Sequence, residues 1–196
     1  MAPNRLNQHF VAKDPNQIWL ADITYIPTSE GWLYLATVMD LYSRRILGWS
    51  MADRMTDALS QQVLTMAVER RKIRPQQLLH HSDRGSQYTS GDYQQLLAHH
   101  QIQVSMSGVG NCYDNAPMES FFSLLKTELV HHERYETRQA AKTSIFDYIE
   151  VFYNRQRIHS ALGYLSPLDY EDRWRHCSSL KKVDGLSRSS NQFVMT

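Results

Sequence analysis

The chain has 196 residues, 42% of them hydrophobic and 11% aromatic, enough for one sizeable core in a globular fold, and its 21 Lys and Arg against 20 Asp and Glu leave a net charge of +1. The apolar runs are short and the N-terminal MAPNRLNQHF has no apolar secretory region, so neither a membrane span nor export is expected. Cys112 and Cys177 stand far apart outside any C-x-x-C spacing, which excludes a disulfide framework and a zinc knuckle and fits a reducing cytoplasm, and the near-neutral charge does not by itself announce nucleic acid.

Residues 1 to 17 are polar and contain the turn-prone pair Asp14-Pro15, so a lead-in segment or linker stump is expected there. From Ile18 the composition changes. IWLADITYIP, WLYLATVMDLYS and RRILGWSMAD are rich in β-branched and aromatic residues and predict a three-stranded antiparallel meander, with TSEG as the first turn. Thr56 and Asp57 offer caps for a helix with Leu59, Val63, Met66 and Ala67 at helical spacing. That helix closes in the basic run ERRKIRP, whose cations oppose the macrodipole or form a local basic cluster. LLHH predicts a short strand ending at Asp83, and a helix follows from about Thr89, where Thr89 and Asp92 have capping-box spacing and Tyr93, Leu96 and Leu97 face inward. IQVSMS alternates as a strand, with Ile102, Val104 and Met106 on one side. The loop GVGNCYDN leads to a helix over APMESFFSLLKTELV with Pro117 near its start. A further helix over about 137 to 155 carries Ala141, Ile145, Tyr148, Ile149 and Phe152 on one stripe. The order predicts one α/β unit over 18 to 172, a mixed sheet with helices on both faces, and a polar, loosely held tail over 173 to 196.

Three acids resist a bland placement. Asp22 interrupts an apolar strand, where an ionised carboxylate is costly unless paired or bound to metal, and Asp83 poses the same difficulty at the end of another strand. Glu119 lies in the first turn of its helix, favourable to the dipole, and Lys126 seven residues on returns to nearly the same face with Ser123 between them. Met118, Phe122, Leu125 and Leu129 form the adjoining apolar stripe. Three converging carboxylates would repel one another, and two divalent cations would relieve the conflict. Oxygen donors without Cys or a paired-His motif favour Mg²⁺, or Mn²⁺ in its place. Two such ions about 3.5 to 4 Å apart suit an in-line phosphoryl displacement.

Asp22 in DITYI, Asp83 in HSDRGSQY and Glu119 in GNCYDNAPMESFFSLLKTEL resemble the Asp, Asp, Glu triad of the integrase-type catalytic core of bacterial insertion-sequence transposases. The likeness is to the group made from two overlapping reading frames, as its second-frame product. Asp83 and Glu119 enclose 35 residues, 84 to 118, the interval typical of that group, and YIEVFYNRQRIHSALGYLSPLDYE resembles its C-terminal part. The resemblance runs from about Asn16 to Glu171. It implies a ribonuclease-H-like fold with a mixed five-stranded sheet, and cleavage of DNA by an activated water followed by attack of the freed 3′-hydroxyl on a second phosphodiester. It also implies Asp22, Asp83 and Glu119 as ligands of two Mg²⁺ or Mn²⁺ ions, and Lys126 as a DNA contact. Tyr113 and Asn115 are candidate substrate-positioning groups, Arg84 a candidate phosphate contact, and His81 and Ser82 candidates for supporting Asp83. Implied partners are insertion-sequence ends and target DNA, further copies on DNA, and the upstream-frame helix-turn-helix protein; the implied setting is the bacterial cytoplasm at the nucleoid.

Two features depart from the pattern. About 17 residues precede the first strand, where the full transposases carry a helix-turn-helix region, and Gly108-Val109 stands where many relatives have basic residues, so weaker phosphate contacts are expected there. Among other chemistries, a tyrosine recombinase needs a nucleophile and an Arg and His cluster gathered from across a helical domain, which Tyr153, Arg155, Arg157 and His159 in one run do not supply. An ordinary ribonuclease H or junction nuclease would lack the DNAPMESFF helix. The rival of another class is an inactive remnant that binds DNA or a partner transposase without cutting.

Overall fold

β-Branched and aromatic residues dominate three consecutive segments, and these form the antiparallel meander: β1 (Ile18–Thr28), β2 (Gly31–Asp40) and β3 (Ile46–Ala52). The structure, a computed structural model, describes residues 2–108 and 112–190, with the side chains of 112, 113 and 181–190 outside the description. Two short strands, β4 (Leu79–Ser82) and β5 (Gln103–Met106), extend the sheet in parallel from the other edge of β1. The order is β3-β2-β1-β4-β5, so β1 is the central strand of a mixed five-stranded sheet, as the sequence predicts.

Helices cover both faces. On one side lie α1 (Asp57–Arg70) and α3 (Gly91–His99), whose Leu59, Val63, Leu64, Tyr93 and Leu97 pack with Trp19 and Ala21 of β1. On the other lie α4 (Ala116–Glu128) and α5 (Arg138–Asp147), whose Met118, Phe122, Ala141 and Ile145 pack with Leu20 and Ile26. Alternation along β1 therefore sends odd and even positions to different cores, and Asp22 shares the α4 side with Leu20. Contact between α1 and the sheet is close enough to require Gly48 in β3: a Cβ there would stand 2.3 Å from the Val63 carbonyl oxygen.

Several elements differ from their predicted form. The cap of α3 is Ser90, whose hydroxyl accepts from the Tyr93 N–H, and the one-turn α2 (Ser86–Thr89) occupies the predicted helix start. Thr89 thus ends one helix instead of capping the next. After α5 the chain widens into a π-helical stretch, Tyr148–Tyr153, which rotates Phe152 out of the predicted stripe to 40% exposure. Residues expected as a loose tail continue α6 (Pro167–Ser190). That helix is fastened by Glu171, 1% exposed, which accepts from Ser43 Oγ at 2.7 Å, pairs with Arg45 at 3.0 Å and also pairs with Arg71. The basic run at the end of α1 is spent in the same way, since Arg70 pairs with Glu150 at 2.7 Å.

The lead-in segment is also built into the fold. Leu6 is buried in the α4-side core, the Arg5 N–H donates to Ser105 Oγ at 2.9 Å, and the Met106 N–H donates to the Pro3 carbonyl at 3.4 Å. Its polar composition hides one apolar anchor and a set of backbone bonds to the end of β5.

Candidate active site

Register brings the two aspartates together. Ala21 of β1 pairs with Ser82, the last residue of β4, so the next residue of each neighbouring strand is an aspartate, Asp22 and Asp83. Parallel neighbours lie about 4.8 Å apart, which sets the scale of their separation. Glu119 comes from the first turn of α4, and the buried Met118, Phe122 and Leu125 hold that helix over the Asp22 face of the sheet.

The environments of the three differ. Asp22 is half-buried and its Oδ1 accepts the Ile23 N–H at 2.8 Å. Burial raises its carboxyl to about 7 against that hydrogen bond, and the charges of Asp83 and Glu119 push it the same way. Asp83, by contrast, is exposed one residue beyond β4, which corrects the expectation of a buried acid at the strand end: the strand stops in time for the side chain to reach solvent. Its Oδ1 accepts the Gly85 N–H at 2.9 Å, and a Cβ at Gly85 would stand 3.0 Å from that oxygen, so any larger residue there would push the carboxylate aside by a small shift. Glu119 is exposed on the solvent side of α4.

The surrounding candidates fall into distinct roles. Asn115, buried at the cap position of α4, donates from Nδ2 to the Ala21 carbonyl at 3.2 Å, tying the helix start to the residue before Asp22, while its Oδ1 is buried without a hydrogen-bond partner. His81 does not touch the Asp83 carboxylate; its ring nitrogens meet Ser105 Oγ at 2.8 Å and Ser107 Oγ at 3.2 Å, so it secures β4 against β5. Ser82 Oγ donates to the Asp83 carbonyl at 3.0 Å. Arg84 donates from Nε to the Ser107 carbonyl at 2.7 Å and so belongs to the same brace. Lys126 rests its Nζ 5.0 Å from the centre of the Tyr25 ring. The Tyr113 side chain and Val109 lie outside the described residues.

Asp114 was not among the predicted site residues. It is 2% exposed and accepts from the Gly108 N–H at 2.7 Å, Asn4 Nδ2 at 2.8 Å and Gln8 Nε2 at 3.0 Å. Burial works to raise its carboxyl, but these bonds and the nearby His81 hold it below the usual carboxylate range. It straps the lead-in segment to the residues just before α4. In a polar loop an acid reads as solvated, and its two side-chain partners, Asn4 and Gln8, lie more than 100 residues away, so no local signal marks it.

Among the described residues no group of three His, Cys, Asp or Glu side chains is close enough to hold a metal ion in this arrangement. The donor chemistry nevertheless fits a hard divalent cation. Asp22, Asp83 and Glu119 offer only carboxylate oxygens, and a cation there would offset both the burial that chiefly raises Asp22 and the lesser repulsion from the other two.

Comparison with known proteins agrees with this architecture. The integrase core domain family matches residues 12–112, just over half of the chain, and a second integrase core domain family matches residues 119–174. The chain is 48% identical over 179 residues to the "insertion element IS600 uncharacterized 31 kDa protein" of Shigella sonnei, covering 91% of this chain and 65% of that protein. It is 51% identical over 173 residues to the transposase InsF for insertion sequence IS3A of Escherichia coli (strain K12), covering 88% of this chain and 60% of that one. The chain thus spans less than two thirds of the length of these relatives. Among solved structures, the HTLV-2 integrase catalytic core domain in complex with magnesium matches with a TM-score of 0.60 at 16% identity, over 82% of this chain and 99% of that one. The BIV integrase catalytic core domain matches with a TM-score of 0.61 at 17% identity, over 84% and 99%. These likenesses show the fold, which is ribonuclease-H-like. With its sheet order, its acids and these matches, the chain belongs to the integrase core domain family, alongside transposases of insertion sequences.

Proposed function

We propose that this chain is the metal-dependent core of an insertion-sequence transposase, cutting DNA at the element's ends and joining the freed 3′-hydroxyl to target DNA. One observation carries the proposal: Asp22 and Asp83 are consecutive in register on adjacent strands, under a helix that brings Glu119 near enough for its charge to act on Asp22. Asp22, Asp83 and Glu119 would hold two Mg²⁺ or Mn²⁺ ions. When bound, such ions favour the attacking oxygen and offset charge on the leaving oxygen of an in-line displacement. Two successive exchanges are required: water displaces one 3′-oxygen from phosphorus, and that 3′-hydroxyl, losing its proton, then displaces another.

The chain's own residues supply position and charge. β1 and β4 fix Asp22 and Asp83 on rigid strands, the Gly85 N–H orients the Asp83 carboxylate, and Asn115 sets the start of α4 relative to Ala21. Lys126, one face of the helix with Glu119, would exchange the Tyr25 ring for a DNA phosphate. Tyr113 and Arg84 remain proposed DNA contacts. Self-association on paired DNA ends, cooperation with a helix-turn-helix partner, and a place in the bacterial cytoplasm at the nucleoid belong to the same proposal. Among the described residues, no helix is long and apolar enough to cross a membrane.

A second reading, a core that binds DNA or a partner transposase without cutting, is favoured by the spread of the three acids, which are not close enough to enclose an ion. One experiment separates the two: cleavage and strand transfer on labelled DNA carrying an element end, with Mg²⁺ or Mn²⁺, comparing wild type with Asp83→Asn and Glu119→Gln. Metal-dependent cutting by wild type alone is expected, because a carboxamide keeps the shape and loses the charge that holds the ions. Equal cutting by either variant would overturn the metal-ligand assignment, and DNA binding without cutting by all three would favour the second reading.

A further inference from the structure

A cleft of about 630 Å³ opens on the flank of α4, within the size range of about 300 to 1,000 Å³ usual for ligand sites. Its wall includes Pro117 from the first turn of α4, Arg44 from the connection between β2 and β3, and Arg157, His159 and Tyr164 from the run after the π-helical stretch. Pro117 shares the first turn of α4 with Glu119, so the cleft reaches the helical turn that carries the acid.

The cations in this cleft are unequal. Arg157 is committed to Glu128, donating from Nε at 2.9 Å and from Nη2 at 2.6 Å. Arg44 has no carboxylate partner among the described residues, although the adjacent Arg45 pairs with Glu171. It is half-buried and holds the left-handed φ of 61°, a conformation disfavoured for a side-chain-bearing residue by about 1 to 2 kcal/mol. Strained backbone of this kind collects where a side chain must be aimed.

His159 adds a donor. Its Nδ1 lies 3.5 Å from an Arg157 guanidinium nitrogen, which can only donate, so Nδ1 is the acceptor and Nε2 carries the proton. That Nε2 is buried without a hydrogen-bond partner. Burial and the Arg157 and Arg44 charges hold the ring neutral, with its pKa lowered to about 4. Beside these groups Tyr164 is 70% exposed and Ile158 59% exposed, and Tyr164 too has a positive φ, 60°. Unpaired guanidinium, orphaned N–H, helix N-terminus and exposed aromatic face suit a phosphate with an unpaired base beside it.

We propose that this cleft binds a single DNA strand, one backbone phosphate between Arg44 and His159 and one base against Tyr164. The proposal rests on the chain acting on DNA, and it gives the strand a path along α4 to the turn that carries Glu119. A single strand, not a duplex, is the occupant because stacking on Tyr164 requires a base whose face is free.

The test is fluorescence anisotropy of a labelled single-stranded oligonucleotide with the full chain in chelator, over a range of salt. Arg44→Gln should weaken binding about tenfold and lower the slope of log affinity against log salt by about 0.7, the loss of one phosphate contact. Tyr164→Ala should weaken it about tenfold with the slope unchanged, and Tyr164→Phe should restore it. Unchanged affinity in Arg44→Gln and Tyr164→Ala, losses confined to duplex DNA, or no binding by wild type would each overturn the proposal. Thermal melting of each variant shows whether a loss reflects the cleft or the fold. Because metal is absent, a chain that binds as expected but never cuts overturns the transposase function and leaves the cleft standing. A chain that cuts, with binding indifferent to Arg44 and Tyr164, overturns the cleft alone.

Discussion

Glu171 and Asp22 are both acids withdrawn from solvent, and they live in opposite electrostatic company. Glu171 is enclosed by Ser43, Arg45 and Arg71, with Arg175 at 3.5 Å, so its charge is answered from within the chain and its carboxyl is held below the usual range despite the burial that works to raise it. Asp22 receives a single N–H and has Asp83 and Glu119 as its charged neighbours. A buried acid that brings its own cations is a fastening. One whose charged neighbours are further acids is left without an answering cation among them, and that contrast, more than burial itself, marks Asp22 as a candidate for a site.

The comparison can be broken most directly at Glu171. Glu171→Ala would leave Arg71 buried without its partner and should cost about 3 to 5 kcal/mol in urea denaturation; a loss below about 1 kcal/mol would show the cluster to be passive. The sign with pH follows. A carboxyl held low in the folded state contributes above its ordinary pKa, and that contribution fades as pH falls through the lower folded value, so wild type should lose its advantage over Glu171→Gln on acidification. At the site the expected effect is smaller and comes from added metal. Mg²⁺ at about 100 times its dissociation constant should stabilise wild type by about 2.7 kcal/mol and leave Asp83→Asn nearly unmoved, read as a shift in thermal midpoint. Smallest is Asp22→Asn without divalent metal: removal of an ill-placed charge should leave stability unchanged or raise it by about 1 kcal/mol. A loss of 2 kcal/mol or more would mean that Asp22, like Glu171, is a fastening.

Much of this was legible in the sequence, for local reasons. The meander announces itself through β-branched and aromatic runs, Asp22 through its apolar flanks, and α4 through a stripe with Glu119 and Lys126 on its other side. The expectation of a buried acid at Asp83 is wrong, since it is exposed; its candidacy as a ligand rests instead on its place in HSDRGSQY and its interval to Glu119. What remained hidden depends on contacts between distant segments. Leu6 and Asn4 in a polar lead-in give no sign of packing on the core or of reaching Asp114, and Glu171 looks like any surface acid until Ser43, Arg45 and Arg71 surround it. The π-helical turn that exposes Phe152 is likewise invisible to a fixed helical period.

The sheet order carries a consequence for the chain as it is made. β1 is made before the other four strands of its sheet and is the central strand of the finished sheet, yet only its β2 edge can be filled when the meander closes at Ala52; the other waits for Leu79–Ser82. During that interval β1 is an open edge able to template pairing with another nascent chain. A charge within an edge strand is one of the features that discourages such pairing. The acid that sits uneasily in the completed sheet is therefore also a charge placed beside the edge that is last to be filled.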